Sequence, residues 1–226
     1  MKHIGIVAIT AEGATLCYRT IVSEAGKLLG QNKHPEITLN NAPFDEILSA
    51  QNKGDWSKVA NVILNSIAKL QKAGTEFAVI PANSVHYSFD EIKKKSTIPV
   101  LSIIEITAEE CKKLGYKKVG LVGTKLTMEN SLYQKPLQKY DIELVIPEKK
   151  DREKINCIIF NEIVLNKIIS TNEIVEIINK LKQNGCDAVI LGCTEIPIVI
   201  NEQNSPLPFI DTTRLLAIKA LEYSLK

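Results

Sequence analysis

The segment Lys2-His3-Ile4-Gly5-Ile6-Val7 is matched 115 residues later by Lys117-Lys118-Val119-Gly120-Leu121-Val122. Two further matches follow in the same order. Lys69-Leu70-x-x-x-Gly74-x-Glu76 resembles Lys180-Leu181-x-x-x-Gly185-x-Asp187 at a spacing of 111. Ile98-Pro99-Val100-Leu101-Ser102 resembles Leu207-Pro208-Phe209-Ile210-Asp211 at a spacing of 109. One strand-like match could arise from composition alone. Three in order, with a slowly drifting offset, read as a duplicated unit that has taken small insertions. Residues 3–8 have the length and β-branched content of a buried strand, as do 36–39, 77–80, 99–101, 118–122, 143–146, 188–191 and 208–210. Between them, Val59, Val62, Ile63, Ile67 and Leu70 share one helical face, and Ile174, Ile177, Ile178 and Leu181 repeat the pattern. Strands alternating with helices predict an α/β class with mainly parallel sheets, covered by helices on both faces. The duplication predicts two pseudo-symmetric domains, residues 1–98 plus 210–226 and residues 99–209.

Composition agrees with a globular reading. Of 226 residues, 45% are hydrophobic and 24% charged, too apolar for a disordered chain. A net charge of +2 and only three arginines (Arg19, Arg152 and Arg214) give no electrostatic reason to expect nucleic acid or a membrane surface as partner. No signal-peptide pattern precedes the first strand, and no apolar run approaches a membrane span. The expected compartment is therefore reducing and cytoplasmic. Five cysteines at irregular spacing do not form a disulfide framework. Each is then either a small core residue or a reactive thiol. Cys17, Cys111 and Cys157 lie in helix-like stretches and Cys186 enters a strand, so these four read as core.

Cys193 has a different setting, in Leu191-Gly192-Cys193-Thr194-Glu195-Ile196-Pro197. It directly follows an apolar strand, at the sheet edge where open parallel sheets bind ligands. Thr194 and the amides beyond it are expected to bind an anion or lower the thiol pKa. Carrying the 111-residue offset forward places Pro81-Ala82-Asn83-Ser84 on Gly192-Cys193-Thr194-Glu195. Two related domains facing one cleft would set Cys193 on one wall and Ala82 on the other. Asn83, Ser84, Thr10, Thr124 and Thr127 follow strands in the same way. Each suits either a helix cap or a carboxylate site. His86 is a candidate second acid or base, although a histidine in such a loop is more often structural. There is no GxGxxG after the first strand, no Walker pattern, no CxxC and no histidine pair at metal-ligand spacing. No cofactor and no metal are expected.

These residues resemble the aspartate/glutamate racemases. Pro81-Ala82-Asn83-Ser84-x-His86 is similar to the family's Cys-Asn-Thr-x-His segment, and Gly192-Cys193-Thr194-Glu195 to its second, Gly-Cys-Thr-Glu segment. Gly123-Thr124-x-x-Thr127 with Tyr133 resembles a third motif, and Ile4-Gly5-Ile6 with Glu12, Ala14, Thr15 and Tyr18 the N-terminal one. Glu195 points to the aspartate branch, since glutamate racemases usually carry His there. The resemblance implies two flavodoxin-like sheets with the substrate between them, a homodimer, and cofactor-independent chemistry on a small amino acid or dicarboxylate. One thiolate removes the α-proton and an opposing thiol reprotonates the other face. Inversion needs acid/base groups on both faces, and surrounding donors must support the carbanionic state. By resemblance those donors are backbone amides, Thr10, Asn83, Ser84, Thr124, Thr127 and Thr194.

The chain departs from the pattern where the first thiol is expected, at Ala82. Ser84 stands where Thr is usual. No Arg lies between residues 36 and 50, and Val164 stands where aspartate-selective members carry Lys, with Lys167 nearby. Three mechanisms stay open. The chain is a racemase whose second face uses water, Ser84 or His86; or a single-thiol decarboxylase; or a non-catalytic binder of a dicarboxylate.

Overall fold

The computed structural model describes every residue except 166, 168 and 169. The chain divides into two units, Met1–Ile106 with Thr213–Lys226, and Thr107–Thr212. The first contains β1 (Ile4–Ala8), α1 (Ala11–Leu29), β2 (Ile37–Asn41), α2 (Phe44–Asn52), α3 (Trp56–Lys72), β3 (Phe77–Val79), α4 (Phe89–Lys95), β4 (Val100–Leu101) and the start of α5 (Ile103–Lys113). The second contains β5 (Lys118–Val122), α6 (Lys125–Glu129), α7 (Gln134–Gln138), β6 (Glu143–Val145), α8 (Lys149–Ile158), α9 (Thr171–Gln183), β7 (Ala188–Leu191) and β8 (Phe209–Asp211). The last helix, α10 (Thr212–Ser224), belongs with the first unit beyond its opening residue. There the Lys2 N–H donates to the Ser224 carbonyl at 2.8 Å, and the Tyr223 ring meets Phe77 edge-on at 4.7 Å.

Each unit holds a four-stranded sheet, in the orders β2-β1-β3-β4 and β6-β5-β7-β8, and every pairing is parallel. The registers match as well. Gly5 lies opposite Ala78, and Ala78 opposite Val100. Gly120 lies opposite Val189, and Val189 opposite Phe209. Corresponding residues are 115, 111 and 109 apart, the spacings of the three sequence matches. The duplication is thus present in the hydrogen-bond register and not only in composition.

Each repeated residue has a physical task. Leu70 on α3 packs so tightly on β1 that a Cβ at Gly5 would lie 3.2 Å from its Cδ1. Leu181 on α9 does the same to β5, at 2.7 Å from a Cβ at Gly120. Only glycine lets these helices approach so closely. Gly74 and Gly185 follow their helices at φ +94° and +83°, the left-handed stop that suits glycine. The Glu76 carboxylate then accepts the His3 N–H at 2.8 Å, and the Asp187 carboxylate accepts those of Lys117 and Lys118 at 2.7 and 2.9 Å. Both hold the entrance of the first strand in their own unit. Of the apolar faces read from the sequence, Val59, Ile63, Ile67 and Leu70 on α3 are buried and Val62 is partly buried, and Ile174, Ile177, Ile178 and Leu181 on α9 are buried. Each such side chain contributes about 1.5–3 kcal/mol when fully buried.

Two expectations shift. The division falls at 106/107 and 212/213 instead of 98/99 and 209/210, because β4 pairs with β3 and β8 with β7. Cys157, expected in the core, is exposed on α8, whereas Cys17, Cys111 and Cys186 are buried. The helical neighbours Ile155 and Ile158 take the inward positions instead.

Candidate functional site

In the second unit, β7 is fully buried and is followed by Gly192, whose N–H donates to the Val122 carbonyl at 2.7 Å. A Cβ at Gly192 would lie 2.8 Å from Leu121 Cδ1 and 3.2 Å from Thr127 Cγ2, and one at Gly123 would lie 3.1 Å from the Gly192 oxygen. The two glycines therefore let the loops after β5 and β7 touch backbone to backbone. This brings Thr124 and Thr127 beside the Cys193 loop. Thr124 caps α6, accepting the Thr127 N–H at 3.3 Å, and the two hydroxyls are 3.0 Å apart.

Cys193 is 7% exposed, as is Glu195. The thiol donates to Glu195 Oε2 at 2.9 Å, and the Thr194 hydroxyl donates to the same oxygen at 2.7 Å. A carboxylate with two short donors and little water is an interaction of high consequence. Burial, then the Glu195 charge and its hydrogen bond, hold the thiol pKa well above its ordinary value. The backbone amides of Glu195 and Thr194 pull it down, as expected from the sequence, but the upward effects are larger. The net effect holds the thiol toward its protonated form. In the sequence Glu195 reads only as a marker of the aspartate branch. Its signal was the two-residue spacing from Cys193, which puts a carboxylate within a turn of the thiol.

In the first unit, β3 leads through Ile80 and Pro81 to Ala82, which is 8% exposed. Continuing the register that aligns Ala78 with Val189 places Ala82 at the position of Cys193. Asn83 is buried and precedes a 3₁₀ turn over Ser84–Ser88 without capping it through its side chain. The Ser84 hydroxyl accepts from Gln51 Nε2 at 3.1 Å. Thr10 caps α1, accepting the Gly13 N–H at 3.3 Å.

His86, a candidate second acid or base, is engaged within its own unit. Its Nδ1–H donates to the Ala82 carbonyl at 2.8 Å, and its Nε2 accepts the Ile103 N–H at 3.3 Å. Both ring nitrogens are engaged, the ring stacks on Phe89 at 5.0 Å, and burial pushes its pKa down to about 4. The neutral ring ties the Ala82 loop to the start of α5. Tyr133 is likewise structural, fully buried with its hydroxyl bonded to Thr107 and Thr212. Val164 is exposed and follows a π-helical turn over Ile159–Ile163, and Lys167 is exposed nearby. Among the described residues no cluster of His, Cys, Asp and Glu could hold a metal ion. No described helix is long and apolar enough to cross a membrane.

Residues 6–220 match the family model described as Asp/Glu/hydantoin racemase. The broad specificity amino-acid racemase RacX of Bacillus subtilis is 28% identical over 163 residues, covering 72% of this chain and 71% of that one. A crystal structure from Yersinia pestis, provisionally described as an Asp/Glu racemase, superposes with TM-score 0.92 at 35% identity. An aspartate racemase homologue from Pyrococcus horikoshii superposes with TM-score 0.88 at 31% identity, and in both cases each chain is covered in full.

Proposed function

The chain belongs to the Asp/Glu/hydantoin racemase family, and from that premise we propose that it is an amino-acid isomerase in which Cys193 exchanges the α-proton without a cofactor. The observation that carries the reading is the Cys193 thiol at the carboxyl end of β7, buried and hydrogen-bonded to a carboxylate. A thiol so placed can present itself as an acid or, once its proton moves to the carboxylate, as a base. Proton transfer at carbon needs such a group within hydrogen-bond reach of the substrate.

Because residue 82 is Ala, Cys193 is the single thiol of the proposed chemistry. It removes the α-proton from one face, and the electron pair passes into the substrate carboxylate. Thr10, Asn83, Ser84, Thr124, Thr127 and Thr194 are the proposed substrate-binding groups, supplying hydrogen bonds to the charged ends of the amino acid. With His86 fully engaged, the opposite face is left to water or the Ser84 hydroxyl. Return of the proton by Cys193 then gives exchange with retention, and inversion is the slower outcome. An acidic amino acid is the first candidate substrate, as the names of the relatives suggest.

The test is α-proton exchange in heavy water, followed by NMR, on both enantiomers of aspartate and glutamate and on a panel of neutral amino acids. The neutral panel is included because the RacX relative is broad in specificity. Exchange on at least one amino acid is expected, falling about 10²–10⁴-fold in Cys193→Ser, the usual contribution of a general base. No exchange on any amino acid, or an undiminished rate in Cys193→Ser, refutes the reading. In the first case, release of carbon dioxide from a substituted malonate would mark a decarboxylase, and dicarboxylate binding without turnover a binder.

A further inference from the structure

The two loops that carry the matched triplets are each tied to the helix after the last strand of their own sheet, by different chemistry. In the first unit the tie is His86, whose ring joins the Ala82 carbonyl to the N–H of Ile103, the first residue of α5. The residue 109 positions further on, at the spacing of the third sequence match, is Thr212, the first residue of α10. Pro197 stands at the counterpart of His86 and has no side-chain hydrogen-bonding group. In the second unit the helix residue makes the tie itself: the Thr212 hydroxyl donates to the Leu191 carbonyl at 3.0 Å. The N–H of the same peptide, that of Gly192, donates to the Val122 carbonyl at 2.7 Å. The peptide that precedes Cys193 is therefore held at both of its polar groups. A hydroxyl has one proton to give. Thr212 gives its proton to Leu191 and so accepts from the Tyr133 hydroxyl, which is also bonded to Thr107. Leu191, Thr212, Tyr133 and Thr107 are all completely buried and all belong to the second unit. Buried chains of hydroxyls are strong in place and costly to break.

We propose that Thr212, backed by Tyr133, is a positioning residue for the proposed reaction: by pinning the Leu191–Gly192 peptide it fixes where the Cys193 thiol stands. This rests on the racemase-type reading above. Thr212 touches no reacting atom in this scheme, and its effect reaches the substrate through the backbone alone. Gly192 makes such an anchor necessary, because glycine has the widest backbone freedom and cannot set the direction of the next side chain by itself. A thiol displaced by about 1 Å loses up to about 100-fold in rate.

The experiment compares the parent with Thr212→Val, which keeps the branched shape and loses the hydroxyl, and Thr212→Ser, which keeps the hydroxyl. Tyr133→Phe removes the hydroxyl behind Thr212 and decides the matter if Thr212→Val does not fold. Two readouts are taken at a temperature where thermal melts show each protein folded. The first is kcat and KM for α-proton exchange in heavy water. The second is the rate of Cys193 alkylation by iodoacetamide, located by peptide mass spectrometry, with the exposed Cys157 as internal reference. In Thr212→Val, kcat should fall about 10–100-fold while KM stays within about twofold, the pattern of a loss felt in the transition state. The ratio of Cys193 to Cys157 alkylation should rise at least about threefold, because a released loop opens more often. Thr212→Ser should keep kcat within about threefold of the parent, since its hydroxyl can still donate. Tyr133→Phe should move both readouts in the direction of Thr212→Val, by less. A residue that serves stability alone would lower the melting temperature and leave kcat of the folded protein and the alkylation ratio where they were. Thr212→Val with both readouts within about twofold of the parent overturns the proposal, that being too small for a displaced thiol. So does a Thr212→Ser variant as impaired as Thr212→Val, or, if Thr212→Val is unfolded, a Tyr133→Phe variant that matches the parent. If Cys193→Ser loses exchange and Thr212→Val keeps it, the positioning role fails and the racemase-type reading survives. A parent without exchange on any amino acid overturns both.

Discussion

Gly192→Ala tests how the candidate site is assembled. The added Cβ would lie 2.8 Å from Leu121 Cδ1, 3.2 Å from Thr127 Cγ2 and 3.4 Å from the Val122 oxygen. Gly192 is not among the residues with positive φ, so the backbone itself accepts alanine and the cost is steric. Leu121 is fully buried, so the shift must be taken up among packed neighbours. Inserting a methyl into such a site costs about 1–3 kcal/mol. For a chain of this size each kcal/mol lowers the melting temperature by about 2–4 °C, so the expected fall is about 2–12 °C. Leu121→Val removes the clashing Cδ1 and should by itself cost about 1 kcal/mol, as a deleted buried methylene does. In the double variant the cavity receives the new methyl, so the two costs should not add; a coupling of at least about 0.5 kcal/mol is expected for side chains in contact. Urea unfolding of the four proteins measures the cycle. Because Thr127 and Cys193 flank the inserted atom, exchange activity should also fall, by up to about 100-fold for a displacement near 1 Å. Strict additivity, or a Gly192→Ala variant within about 0.5 kcal/mol of the parent, would refute the close approach of the β5 and β7 loops as the device that assembles the site.

Three further outcomes are expected. The folded His86 ring, with its pKa near 4 against an ordinary 6.5, makes the folded state refuse a proton that the unfolded chain accepts, so its stabilising effect is full above pH 6.5 and is lost as pH falls toward 4. Over that window the parent should lose about 3 kcal/mol that His86→Gln does not, at about 1.4 kcal/mol per unit; parallel stability curves would refute it. Asp187, held below the usual carboxylate range by the Lys117 and Lys118 amides, stabilises the fold above its unfolded pKa and stops doing so as pH falls through its folded one. Asp187→Asn should therefore be less stable at neutral pH and show a shallower acid limb in thermal melts. Ala82→Cys restores a thiol at the register counterpart of Cys193 and should raise the ratio of inversion to exchange, read by chiral chromatography of the NMR samples. An unchanged ratio would count against pairing these two positions on one substrate.

The duplication was legible because its residues answer to backbone geometry. Gly5 and Gly120 must be small where Leu70 and Leu181 press on them, and Gly74 and Gly185 must turn left-handed. Such requirements leave few alternatives, so they survive as visible matches. Cys193 stands out as a candidate for a different reason: a thiol directly after a fully apolar strand lies at the edge where open parallel sheets bind ligands. Glu195 was not legible as its partner. A carboxylate two residues past a strand can cap a helix, face solvent or turn inward, and only the closed turn over residues 193–198 selects the inward rotamer. His86 was open for the same reason, until the Ala82 carbonyl and the Ile103 amide were found to occupy both its nitrogens. The sequence does not say which neighbour a short strand such as Val100–Leu101 pairs with, so it fixes the division into units only to within several residues.

The two units share sheet order, register and the contacts at their first strands, so selection for folding accounts for what they have in common. The matched strand ends differ at several positions, and three consecutive ones change the chemistry on offer. Ala82, Asn83 and Ser84 stand in the first unit where Cys193, Thr194 and Glu195 stand in the second. The first triplet offers hydrogen bonds and no group that ionises. The second offers a thiol, a hydroxyl and a carboxylate joined through one oxygen. Since the scaffolds are equivalent, this difference is chemical and not architectural. Under the proposed function, proton handling is the task of the second unit's triplet, which is what the Ala82→Cys and Cys193→Ser variants test.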